Sequence, residues 1–172
     1  MRHRSRTMPR EFRDRALHLV DIENLTGTGL PDPQAVLRAR LALNGAVPVG
    51  AGDHVVVGSS HAAALAIFEG WGAARFLWRS GHDGADLALL GVLEEDVTTR
   101  FDHVVIASGD GIFAEAAARL GAGGCGVTVV ARDGGISRRL WTAVQDVRLL
   151  RHPAVPGPAM AGRSAEMVAR AS

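Results

Sequence analysis

Lysine is absent from this chain of 172 residues: its nineteen basic residues are all arginine, set against eighteen acids for a net charge of +1. That absence removes chemistry that needs a lysine amine, such as Schiff-base formation. Near-neutral charge means that overall charge selects no polyanionic partner. A single cysteine, Cys125, excludes an intramolecular disulfide and a cysteine-rich zinc site. No pair of the seven histidines has zinc-ligand spacing, and no Gly-x-Ser-x-Gly nucleophile elbow occurs. No apolar run reaches the length of a membrane span, and no clean signal-peptide region follows the start. The expectation is a cytoplasmic protein with no membrane partner. Its oligomeric state is not legible.

What is present is 47% hydrophobic and 22% charged, the composition of one globular domain. The arginines are unevenly spread. Arg2, Arg4, Arg6, Arg10, Arg13 and Arg15 crowd the first fifteen residues. Such a basic arm suits a phosphate backbone; a solvated, frayed terminus is the plain alternative. Residues 1–16 are therefore read as an arm, 17–150 as the domain, and 151–172, with Pro153, Pro156 and Pro158, as a loose tail or one bearing a small helix at "AEMVARA".

Within the domain, strands and helices alternate. Strands are expected at 17–22, 53–60, 73–78, 102–108, 126–131 and 147–150. Helices are expected after Asp32, from His61, over 83–97, from Ile112 to a stop at Gly121, and at "SRRLWTAVQ". Asp32 precedes Pro33 as an N-cap precedes a first helical proline. Leu87, Leu90, Leu93 and Val97 mark one face of the third helical segment. Strands two, four and five are near-continuous Val and Ile runs, the pattern of strands buried on both faces. The expected fold is a three-layer α/β/α sandwich with a mainly parallel central sheet. The three tryptophans are read as packing residues, and "GAGGCG" as a helix stop and turn.

Ligands of open parallel sheets bind outside the carboxyl ends of the strands. Asp21 ends the first strand, Asp86 lies in the first helical turn after the third, and Asp110 follows the fourth. Each has an ordinary explanation alone: a strand-end loop residue, a first-turn acid favoured by the helix dipole, a helix cap. If the first strand lies between or near the third and fourth, the three converge on one pocket at the sheet edge. Two carboxylates about 4 Å apart repel by about 4 kcal/mol at an effective dielectric near 20. A shared proton, an arginine or a cation relieves that. All-oxygen ligands favour Mg²⁺ or Mn²⁺, and phosphodiester hydrolysis is the chemistry such a site best suits.

Three motifs sharpen this reading: "VDIEN" at 20–24, "DGADLAL" at 83–89 and "VVIASGDGIFAEAAARLGAGGCGVTVV" at 104–130. They resemble the NYN family of the PIN-like nuclease superfamily, whose marks are D-x-x-N at a strand end, K-G-x-D opening a helix, and S-G-D-x-D-F after the fourth strand. "GISRRLWTAVQDVRLL" at 135–150 is similar to the family's closing helix and strand. The resemblance spans about residues 17–150 and implies a PIN-like or Rossmann-like fold. It also implies a metal-dependent ribonuclease that hydrolyses RNA with water activated by an Asp-bound divalent ion. It assigns the metal to Asp21, Asp86 and Asp110, a water- or phosphate-orienting role to Asn24, and a place beside the substrate to Ser108. Two positions depart from the pattern. Ile112 replaces the second acid of S-G-D-x-D-F, and Asp83 replaces the Lys. Asp83 either compensates as a metal ligand or is a helix N-cap. Ile112 motivates a second expectation, a non-catalytic RNA-binding or regulatory module. A haloacid-dehalogenase-type phosphatase ranks lower: its second acid is an Asp where this chain has Glu23, and it uses a late Lys.

Overall fold

The computed structural model describes residues 15–150. The arginine-rich stretch 1–14 and the tail 151–172, with its expected small helix, lie outside the described residues. Each apolar run forms a strand: β1 (Ala16–Asp21), β2 (His54–Ser59), β3 (Arg75–Trp78), β4 (His103–Ala107), β5 (Gly126–Arg132) and β6 (Asp146–Leu150). The helices between them are α1 (Ile22–Thr26), α2 (Pro33–Ala46), α3 (Ala64–Trp71), α4 (Gly84–Leu93), α5 (Ala114–Ala122) and α6 (Arg138–Ala143). The strands form one sheet in the order β3–β2–β1–β4–β5–β6, and every neighbouring pair is parallel.

Strand alternation sorts the core into two layers. Leu17, Leu19, Val56, Val104, Ile106 and Val129 point to one face and pack with Leu89, Val92, Phe113, Leu120 and Leu140 of α4, α5 and α6 and their approaches. Val20, Val57, Val105, Ala107 and Val130 point to the other and pack with Leu25, Val36, Leu43, Ile67 and Trp71 of α1, α2 and α3. Helices therefore cover both faces of the sheet, which is the expected three-layer α/β architecture. Trp78 stacks on Phe76 with ring centroids 5.4 Å apart, while Trp141 is half exposed. Among the described residues, no helix is long and apolar enough to cross a membrane.

Several local expectations shift. Arg15 belongs to the domain rather than the arm: its Nε donates to Gly52 O at 2.7 Å, and its guanidinium lies 5.4 Å from the Phe101 ring centroid. β1 stops at Asp21, because that residue caps a short helix. Asp32 caps α2 as expected, accepting from the Ala35 N–H at 2.7 Å. α4 ends at Leu93 rather than 97, where Glu94, Glu95 and Asp96 oppose the helix dipole. Its buried stripe is Ala85, Leu89, Val92 and Leu93, so Leu87 is turned outward at 40% exposure. Residues 111–113 form a 3₁₀ turn before α5, which runs past Gly121 to a cap at Gly123.

Candidate functional site

The strand order reverses beside β1. From β1 the chain steps outward to β2 and β3, then returns to lay β4 on the other side of β1. The crossovers on the two sides diverge there, and a crevice opens at the carboxyl ends of the strands. It is a cleft of about 370 Å³ whose lining includes Asp21, Asn24, Asp83, Asp86, Asp110 and two arginines, Arg79 and Arg132. Larger hollows, of about 460 and 520 Å³, open at the amino ends of the strands. Neither gathers so many acids.

Asp21 is 5% exposed. Its Oδ1 accepts from the Asn24 N–H at 3.0 Å, the N-cap bond that starts α1, and its Oδ2 accepts from Ser108 Oγ at 2.9 Å. The D-x-x-N spacing is thereby explained: Asp21 caps the main chain of Asn24. The Asn24 side chain turns across to β4, where its Oδ1 accepts from the Gly109 N–H at 2.9 Å. That bond identifies Nδ2 as the amide end without a partner, available to donate into the cleft.

Asp86 comes from the other side. α4 lies close on the sheet because β2 carries Gly58 there: a β-carbon on Gly58 would come within 2.7 Å of Leu89 Cγ. Asp86, three residues before Leu89 on the same flank of the helix, is thereby brought against Asp21. Burial pushes Asp86 up to about 7, and the Asp21, Asp110 and Asp83 charges, with a hydrogen bond to Asp21, add to the rise. Asp21 is also raised, first by burial. The two carboxyls thus share a proton near neutrality. Asp86 Oδ1 is buried with no donor to it.

The remaining acids stand further out. Asp110 caps the 3₁₀ turn, accepting from the Ile112 N–H at 2.9 Å, and lines the cleft. Asp83 occupies the N-cap position of α4 with φ 54°, a left-handed conformation, yet its side chain caps nothing. Its Oδ2 pairs instead with His82 Nδ1 at 2.7 Å. Among the described residues, no three Asp, Glu, His or Cys side chains stand close enough to surround an ion. Asp21 and Asp86 make the close pair.

Two residues stand elsewhere than expected. Ser108, anticipated at the substrate, is behind the acids: it is buried, donates to Asp21 and accepts from the Asp110 N–H at 3.1 Å. Ile112, at the position of the missing acid, packs against the apolar layer under α4 to α6 and does not line the cleft. Two arginines escaped the sequence reading, and Glu23, weighed there as a phosphatase's second acid, has a structural part. Glu23 ties α1 to the end of β2, its Oε1 accepting from Ser59 Oγ at 2.8 Å and the Ser60 N–H at 2.7 Å. Arg132 and Arg79 sit at the carboxyl ends of β5 and β3. The strand-end rule that found the acids would also have found them.

No family model and no curated protein matches the chain. A solved structure does. It is a protein of unknown function from Vibrio parahaemolyticus, 16% identical, with a TM-score of 0.54 over 83% of this chain and 96% of that one. The likeness is one of fold. It places the six-stranded parallel sheet and its helices among known architectures and assigns no activity.

Proposed function

We propose that this cleft is the active site of a metal-dependent ribonuclease of the NYN kind, which cuts RNA phosphodiesters by hydrolysis. The observation that carries the reading is the Asp21–Asp86 pair, two carboxyls brought together in the cleft at the sheet's reversal point, both held above the ordinary carboxylate range chiefly by burial. The residues fit a small hard cation. The donors are all oxygen, Asp86 Oδ1 is buried without a partner, and Mg²⁺ is ordinarily held by one or two carboxylates plus waters and substrate phosphates. Asp21 and Asp86 would hold Mg²⁺ or Mn²⁺, with Asp110 on the open side and Asp83 at the rim. When bound, the ion polarises the phosphodiester and lowers the pKa of a coordinated water.

The protein's own groups do the rest. Ser108 and the Asn24 N–H hold Asp21 in one rotamer. The Asn24 Nδ2 amide is free to donate to a phosphate oxygen. The proton on Asp86 competes with a cation for the pair, so activity rises with pH, with a midpoint that falls as the Mn²⁺ concentration is raised.

The test is cleavage of single-stranded and hairpin RNA by the full chain with Mn²⁺, Mg²⁺ or EDTA. We expect Mn²⁺-stimulated cleavage that EDTA abolishes and Asp86→Asn cuts by at least ~100-fold, an electrostatic effect on the scale of losing one key transition-state contact. A folded protein that cleaves no RNA with either ion overturns it. One observation favours a second reading, a module that binds RNA without cutting it: the position of the missing acid is committed to the apolar layer through Ile112. That reading predicts RNA binding unchanged by Asp86→Asn with no product in any condition. The phosphatase reading gains nothing, since Glu23 is committed to Ser59 and Ser60.

A further inference from the structure

Arg132 is the last residue of β5, the strand next to β4, and its side chain lines the acidic cleft. It is packed across the end of α1. A β-carbon on Gly27 would lie 2.5 Å from Arg132 Nη1 and 2.9 Å from Cζ. Gly27 also holds the left-handed C-cap of α1 at φ 76°. The turn requires glycine there, and the guanidinium lies in the space its missing side chain leaves.

Despite that tight seat, Arg132 is unpaired. Its Nε is buried with no hydrogen-bond partner. None of the ion pairs formed by the described residues includes it. No acid of the same cleft lies within ion-pair distance of it. A buried charged donor without an acceptor is costly. The guanidinium offers a planar fork that matches a phosphate edge, beside carboxylates that leave it unneutralised.

We propose that Arg132 is the phosphate-binding residue of this cleft, its fork taking the non-bridging oxygens of a phosphodiester laid against Asp21, Asp86 and Asp110. The identity of that phosphodiester as RNA rests on the ribonuclease reading; the anion site does not. Arg132 acts by placing the strand. It takes no part in moving protons.

The first experiment titrates the full chain, ¹⁵N-labelled at arginine, with dimethyl phosphate and follows the arginine Nε–H signals by NMR. Sodium chloride at matched ionic strength is the control. One signal, missing in both Arg132→Gln and Arg132→Lys, shifts and saturates with dimethyl phosphate and stays in place with chloride. The second experiment measures binding of a single-stranded RNA oligonucleotide in EDTA across a salt series. Arg132→Gln weakens binding by about tenfold and lowers the slope of log K against log salt by about 0.7, the share of one phosphate contact. Arg132→Lys recovers the slope but only part of the affinity. An Arg132 signal that ignores dimethyl phosphate, or follows chloride equally, overturns the proposal even if the protein cleaves RNA. A saturable shift in a protein that neither binds nor cuts RNA keeps the anion site and sinks the ribonuclease reading.

Discussion

Asp86 is held where its charge is unwelcome. Its carboxyl ionises at about 7 in the folded protein, against an ordinary value of 3.8. Between about pH 4 and 7 the folded chain therefore keeps a proton that the unfolded chain has released. By linkage, stability falls as pH rises across that window and is flat above it. Asp86→Asn removes the repulsion. At pH 8 it should raise stability by roughly 1 kcal/mol, the discount reflecting screening in an open cleft, or a melting shift of about 2–4 °C. At pH 4 the gain should vanish. Mn²⁺ should stabilise the wild type at pH 8 and leave the variant unmoved. Melting curves at the two pH values, with and without Mn²⁺, check all three. Identical melts at pH 8 would mean that Asp86 does not meet Asp21. At this scale the sequence was informative about acids, since a carboxylate at the end of an apolar strand is conspicuous. It was silent on hydrogen bonds that cross the sheet. Ser108 looked like a pocket residue, and only the packing of β4 beside β1 shows its hydroxyl spent on Asp21.

Between residues and fold stands α4, the element that carries Asp86. Its position depends on a contact made at β2, where Gly58 leaves room for Leu89. A methyl group there overpacks the layer. Gly58→Ala should cost about 1–3 kcal/mol and lift α4 from the sheet. Cleavage should fall by more than tenfold at temperatures where the variant remains fully folded, because an ångström of misplacement at a catalytic group costs about that much or more. A variant with lower stability and unchanged turnover would show that α4 does not set the Asp21–Asp86 approach. The element pattern also explains what was legible. Strands two, four and five were conspicuous as Val and Ile runs between turn residues, and they form as expected. α1 was invisible. At five residues it is too short for a periodic pattern, and it exists because Asp21 caps it and Gly27 stops it. The apolar face of α4 was misjudged because nearly every residue from Leu87 to Leu93 is apolar. Periodicity cannot choose a stripe in such a run; only the sheet does.

On the scale of the molecule, the topology explains why separated motifs meet. Asp21 and Asp110 follow adjacent strands, and α4 crosses from β3 at one edge back to β4 at the centre, carrying Asp86 over β1. β1, the first strand, is thus hydrogen-bonded on both sides, and both apolar layers are drawn from residues 17–150. Among the described residues, the domain closes both layers of its core. Its edge is anchored by Arg15, whose carbonyl accepts from the Asp102 N–H at 3.1 Å. The fragment 15–172 should therefore melt within about 2 °C of the full chain, as expected for a change within roughly 0.5 kcal/mol. RNA binding should respond differently. Residues 1–14 hold Arg2, Arg4, Arg6, Arg10 and Arg13, and each arginine engaged on a single strand contributes about 0.7 to the salt slope. Removing them should flatten the slope by up to about 3 to 4 while leaving the pH dependence of cleavage in place, on the proposed division in which the arm adds affinity and the cleft does the chemistry. A fragment with the full chain's salt slope would show that the arginines of the arm do not touch the RNA. A fragment that lost the pH dependence would show that the arm reaches into the cleft itself.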